Sequence, residues 1–254
     1  MAGGTAVVVD RRMLAHDPGR GHPERPDRLR VLLDHLGDAR DLVHLGARAA
    51  AEEELALVHP AAHIERVAII DWDLHHGNGT QHCFERDPDV LYVSTHQYPY
   101  YPGTGAADEV GHGAGAGRTL NLPFPAGFGD AEYVRAFTEV VAPVVRQFAP
   151  GFVLVSAGFD CDHRDPLGGM EVTPAGFAAM AHASVALARE SAGGRIAAVL
   201  EGGYDLAAIV EGVDATLAAM RGAEHAPPPA TGDARRAERV LARVRAAHAP
   251  YWSL

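Results

Sequence analysis

Short apolar runs recur along this chain, each stopped by a cluster of polar or glycine residues, and helically spaced segments separate several of them. Strands that are continuously apolar belong to sheets covered on both faces, and such sheets are parallel ones built with helical crossovers. The expected class is therefore α/β. Strands are predicted at Thr5–Val9, Val67–Asp73, Val90–Thr95, Phe152–Ala157 and Arg195–Leu200, with a further extended piece at Arg118–Pro123. Helices are predicted at Arg25–Leu36, Ala131–Phe148, Thr173–Ala192 and Leu206–Met220, with Pro174 in the first turn behind a Thr173 cap. Pro227-Pro-Pro229-Ala-Thr-Gly232 then breaks the pattern before an Arg-rich amphipathic helix over 233–248. That helix reads as one packed on the domain with a solvated face, or as a partner-binding helix. No repeat and no second domain is visible, so residues 1–254 are read as a single domain.

Composition narrows the chemistry. All 22 basic side chains are Arg, which removes Schiff-base catalysis and phosphate binding through Lys. Cys83 and Cys161 are the only cysteines, too few for a Cys-rich zinc site or a disulfide framework, and a reducing, cytoplasmic setting is expected. No apolar run reaches the roughly 18 residues of a membrane span, and the start resembles no signal segment. The 33 acidic residues bring the net charge to −11, which disfavours nucleic acid and favours a cationic ligand such as a polyamine or a basic peptide.

The most informative segment is Val67-Ala-Ile-Ile-Asp71-Trp-Asp73-Leu-His75-His76-Gly77-Asn78-Gly79. Alternate side chains of a strand share a face, so Asp71, Asp73 and His75 are expected to project together and His76 oppositely. Two carboxylates and an imidazole at the carboxyl end of a buried strand are costly without a cation, and that end is where open parallel sheets bind ligands. A metal-free hydrogen-bonded cluster is the competing reading. Other strand ends are equally polar: Ser94-Thr95-His96, Asp160-Cys-Asp162-His163 and Glu201-Gly-Gly-Tyr204. Asp162 and His163 rival Asp160 as ligands, although a solvated loop role suits them better. Gly111-His-Gly-Ala-Gly-Ala-Gly117 precedes an extended segment instead of opening a helix, so it is read as a flexible loop near the rim of the site and not as a phosphate loop.

Together the blocks Asp71-Trp-Asp-Leu-His-His-Gly-Asn-Gly-Thr-Gln81, Tyr98-Pro-Tyr-Tyr-Pro-Gly-Thr-Gly105, Asn121-Leu-Pro-Phe-Pro-Ala-Gly127, Ser156-Ala-Gly-Phe-Asp160 with Asp165-Pro-Leu-Gly168, and Leu200-Glu-Gly-Gly-Tyr204 resemble the signature of zinc-dependent histone deacetylases. The flavour is bacterial and class II-like, with acetylpolyamine amidohydrolases as relatives. The resemblance implies a three-layer arginase/deacetylase-like fold, with a central parallel sheet flanked by helices. It implies that Asp73, His75 and Asp160 ligate Zn²⁺ in an open, catalytic-type site, and that a zinc-activated water attacks an amide while Tyr204 stabilises the oxyanion. It also implies that Asp71, Ser94 and Thr95 belong to a monovalent-cation (K⁺) site that orients His75. The implied substrates are acylated lysine-like or polyamine amines, and the resemblance leaves oligomerisation open.

The same resemblance fails at one place. The family's Arg-Pro-Pro-Gly-His-His block, which carries the general-base His pair, and the Gly-Phe-Cys-x-x-Asn-Asn block that follows it do not occur in this sequence. Val58-His-Pro-Ala-Ala-His-Ile64 runs directly into Glu65-Arg-Val-Ala-Ile-Ile70, so an internal deletion is inferred near 64–65. Loss of a positioned base costs on the order of 10²–10⁴ in rate. The absent stretch would also remove a strand and helices, leaving apolar faces uncovered. Two alternatives to an active deacetylase follow: an impaired remnant that binds metal or ligand without turnover, and, more distantly, a metal-dependent ureohydrolase, whose Asp-x-His-x-Asp motif differs from the Asp-x-Asp-x-His seen here.

Overall fold

In the computed structural model, residues 5–19, 21–37, 39–47, 66–224, 226, 228 and 232–254 are described. The 64–65 junction, with His59 and His63, lies outside them. Two parallel sheets form among the described residues. The small one pairs β1 (Ala6–Val8) with β2 (Val43–Leu45), so the predicted first strand exists but stands apart from the main sheet. The main sheet comprises β3 (Val67–Asp71), β4 (Val90–Gln97), β5 (Thr119–Phe124), β6 (Phe152–Ala157) and β7 (Ile196–Leu200) in the order β5-β4-β3-β6-β7. Every pairing is parallel. β3 and β4 are buried almost throughout, as their apolar runs require.

The helices are α1 (Pro26–Leu36), α2 (Asn78–Phe84), α3 (Asp130–Ala136), α4 (Ala142–Phe148), α5 (Pro174–Ser191), α6 (Leu206–Met220) and α7 (Ala234–His248). A π-helical turn, Phe137–Val141, joins α3 to α4, which explains the single helix predicted there. Caps follow the sequence: Thr173 Oγ1 accepts from the Ala175 amide at 3.2 Å and Asp205 from the Ala208 amide at 2.8 Å. Asp233 caps α7, so the predicted start at 233 is the cap itself. α5 packs on β6 and on α6, while α7 packs on β5 and α3. The molecule is thus a central parallel sheet flanked by helices, as expected. Its core gathers Trp72, Phe124, Phe128, Tyr133, Phe148, Phe159 and Phe177, all essentially inaccessible to solvent.

Two findings differ from the sequence reading. The glycine-rich 111–117 segment forms a short 3-10 turn at Gly113–Gly115, packed against the backbone of Glu85 and Arg86. It leads into β5 at the amino ends of the strands, opposite the polar strand ends, because tight packing and not mobility is what its glycines serve there. At the other side of the sheet β7 is incompletely covered: Val199 is 50% exposed and Ala198 is exposed. Among the described residues no strand pairs with its outer edge.

The sheet order also fixes where a ligand can sit. The chain leaves β3 toward β4 and β5 on one side, and β6 and β7 lie on the other side of β3. The crevice of such a sheet opens at that reversal, between the carboxyl ends of β3 and β6.

Candidate metal centre

Three donor groups meet at this crevice. Asp73 and His75 follow β3, Asp160 follows β6, and one ligand atom from each lies within 4.8 Å of the others. The strand ends at Asp71, yet the irregular turn after it keeps the alternation: Trp72 and Leu74 go fully into the core while Asp73 and His75 turn toward Asp160. His75 Nδ1 stands 3.0 Å from Asp160 Oδ2 and 3.3 Å from Asp73 Oδ1. Backbone amides hold the carboxylates in place. Leu74 N donates to Asp160 Oδ1 at 2.8 Å, His75 N to Asp73 Oδ1 at 2.8 Å, and Gly202 N to Asp73 Oδ2 at 2.7 Å.

The third bond explains the glycine at 202. A Cβ there would enter the Asp160 and Asp73 carboxylates, so a bare backbone is required for the end of β7 to close on the pair. The next residue, Gly203, has φ 123°, a conformation open only to glycine, and it turns the chain so that Tyr204 follows the site instead of continuing the strand.

Electrostatics describe a place built for a cation. Burial and the neighbouring Asp73 charge raise the pKa of Asp160. Burial opposes charge on the His75 ring, but its bonds to Asp160 and Asp73 outweigh that and raise its pKa to about 10. The trio thus retains a proton where two carboxylates and an imidazole converge, which is where a divalent ion would replace it. Two carboxylates and one imidazole suit zinc and leave coordination positions open for water and substrate.

Asp71 does not join the trio. Its Oδ2 accepts from the Tyr92 hydroxyl at 2.8 Å and its Oδ1 from the Asp73 amide at 3.0 Å, so it props the turn that presents Asp73. Ser94 and Thr95 are buried beside it on β4: Ser94 Oγ pairs with His96 Nδ1 at 2.9 Å, and Thr95 Oγ1 reaches the Asp71 carbonyl at 3.4 Å. Asp162 is buried and paired with Arg164 and His163, outside the trio. His76 points away as expected, toward Thr104 Oγ1 and Gln81 Oε1. His96 is inside the core against the Gly105 carbonyl, with burial lowering its pKa to about 3. Cys161 is buried against Tyr133 and the Trp72 carbonyl, and Cys83 is exposed, with no Cys-His hydrogen bond among the described residues.

Tyr204 is half-buried, and burial together with the Asp160 and Asp73 charges raises its pKa, so the hydroxyl keeps its proton. Four residues around the site were not singled out by sequence reasoning. Asp165 Oδ2 accepts from the Tyr204 amide at 2.7 Å. The Arg28 guanidinium lies 4.9 Å over the Tyr204 ring and donates to the carbonyls of Gly203 and Glu201. Tyr100 and Tyr101 flank the His75 ring at 5.8 and 6.0 Å, and Tyr101 is 74% exposed. Asp165 and the tyrosine pair sat within blocks quoted above, which was the available signal; nothing in the sequence couples Arg28 to Tyr204.

Residues 61–220 match the protein family described as the histone deacetylase domain. Histone deacetylase 15 of Arabidopsis thaliana is 46% identical over 171 residues, which are 66% of this chain and 30% of that protein. A probable deacetylase of Archaeoglobus fulgidus is 49% identical over 142 residues, 56% of this chain and 40% of that protein. Among solved structures, the HDA15 HD domain superposes with TM-score 0.86 at 30% identity, covering 99% of this chain and 96% of that one. The histone deacetylase Clr3 gives 0.85 at 28% identity, covering 98% of this chain and 58% of that one. The chain therefore spans well under half the length of these curated relatives.

Proposed function

The chain belongs to the histone deacetylase domain family, and from that premise we propose that it is a zinc-dependent amidohydrolase removing acetyl or other short acyl groups from lysine-like or polyamine amines. The observation that carries this reading is the convergence of Asp73, His75 and Asp160 at the sheet's switch point, with Tyr204 following the glycine turn beside it. In the proposal Asp73, His75 and Asp160 hold the metal. A zinc ion so held would polarise an amide carbonyl and acidify water. Tyr204, protonated at neutral pH, donates its hydroxyl to the oxyanion that develops on the former carbonyl. Arg28 and Asp165 hold Tyr204 by its ring and its amide, so the donor is set before substrate arrives. Tyr100 and Tyr101 form an aromatic wall against which an alkyl amine can lie. K⁺ at Asp71, Ser94 and Thr95 belongs to the same proposal. The strongly acidic surface favours encounter with a cationic amine and not with nucleic acid.

A second reading is favoured by one specific observation. The general-base block is absent from the sequence, and among the described residues no further imidazole faces the trio, because His76 and His96 are both committed elsewhere. On that reading the chain binds metal or ligand but turns over slowly or not at all. An acetyl-lysine hydrolysis assay combined with metal analysis tests both. The deacetylase reading expects about one zinc per chain and chelator-sensitive turnover. Asp160→Ala abolishes metal and turnover, whereas Tyr204→Phe keeps the metal and lowers kcat by about 10²–10³. Turnover that survives metal removal sinks the first reading; bound zinc with no turnover selects the second.

A further inference from the structure

The outer edge of β7 is a strand-pairing surface that nothing in the metal centre uses. In the ladder with β6, the Val153 amide donates to the Arg195 carbonyl and the Glu201 amide donates to the Ala157 carbonyl. The Arg195 carbonyl, the backbone groups of Ala197 and Val199 and the Glu201 amide therefore face β6, and the backbone groups of Ile196, Ala198 and Leu200 face outward, since strand bonds alternate. Among the described residues β7 has no neighbour on that side. Beyond Leu200 the edge closes, because Arg28 takes the carbonyls of Glu201 and Gly203. The open stretch carries none of the devices that blunt an edge: between Arg195 and Glu201 there is no proline, no bulge and no charged side chain.

The sequence of this edge is complementary to itself. When two copies meet antiparallel with Ala198 opposite Ala198, the outward-facing residues fall opposite one another: Ile196 faces Leu200 of the second copy, and each can exchange both backbone bonds. The same register sets Ala197 opposite Val199, which is 50% exposed in the single chain. It also sets Arg195 opposite Glu201 at both ends, and both residues are exposed in the single chain. Shifting the register by one residue loses the backbone match, and shifting it by two loses the charge match. We propose that β7 pairs with β7 of a second copy of this chain across a twofold axis at Ala198, joining the two main sheets into one.

Sedimentation velocity over a concentration series tests this without reference to activity. The wild-type chain is expected to sediment at twice its monomer mass at micromolar concentration. Arg195→Glu places like charges opposite each other at both ends and weakens the dimer about tenfold. The exchange of Arg195→Glu with Glu201→Arg restores it. Ala198→Pro removes an outward N–H, which an edge strand tolerates, so this variant is expected to be folded by circular dichroism and monomeric. A wild-type monomer at all concentrations overturns the proposal, as does an open-ended oligomer. A dimer indifferent to both Arg195→Glu and Ala198→Pro overturns it equally.

Discussion

Arg28 shows how one residue reaches across the molecule. It is 4% exposed, pairs with Glu24, and bonds the carbonyls of Gly203 and Glu201, the first of these 175 positions away. Because those carbonyls lie at the turn into Tyr204, removing the guanidinium leaves the buried Gly203 acceptor unpaired and frees the turn. Arg28→Met is expected to destabilise the fold by about 2–4 kcal/mol in urea titration. If turnover is measurable it should fall in kcat with bound zinc unchanged, because the metal ligands are held by other amides. Such a tie is invisible in a linear reading, since its partners are backbone carbonyls with no residue identity. Asp73 and His75 were legible for the opposite reason: their residue types are costly at a buried strand end, and alternation after β3 tells which way they point, whereas Asp160 was chosen over Asp162 and His163 through the family resemblance.

At the scale of elements, helix α7 carries a defect whose sign can be worked out. His248 is fully buried near its end with neither ring nitrogen hydrogen-bonded, and burial lowers its pKa to about 4. The unfolded chain, with an ordinary value near 6.5, binds this proton more readily, so stability is retained above pH 6.5 and lost as pH falls toward 4. The loss reaches about 3 kcal/mol at the lower end. His248→Leu should flatten that decline in acid melts and raise stability at neutral pH by about 1–3 kcal/mol through removal of the unpaired ring nitrogens. Wild type and variant declining in parallel between pH 6.5 and 4 would refute the assignment. The strands and most helices were legible because caps and apolar spacing are local signals. The glycine-rich turn at 113–115 was misread as mobile, since its glycines answer to the packing of Glu85 and Arg86, which sequence order hides. β2 and α2 were missed because elements of three and seven residues give too short a window for periodicity.

At the scale of the molecule, the proposed metal site and the fold are coupled. Asp73 and Asp160 meet at a buried site that ties β3, β6 and the end of β7 together, so an ion bound there would stabilise the folded chain in proportion to its affinity. With zinc at about a hundred times its Kd, melting should be stabilised by about 2.7 kcal/mol relative to chelator-treated protein. Asp160→Asn should remove most of that difference, and an equal zinc effect in this variant would place the ion elsewhere. The sheet order gives this coupling a further meaning. β3 and β6, which supply all three donors, each have a strand on both sides, whereas β7 bounds the sheet. The donor trio is therefore anchored on strands that are paired on both sides, and the outer side of β7 acts as a seam. A strand gained or lost on that side would change how the sheet is bounded and leave the three donors in place.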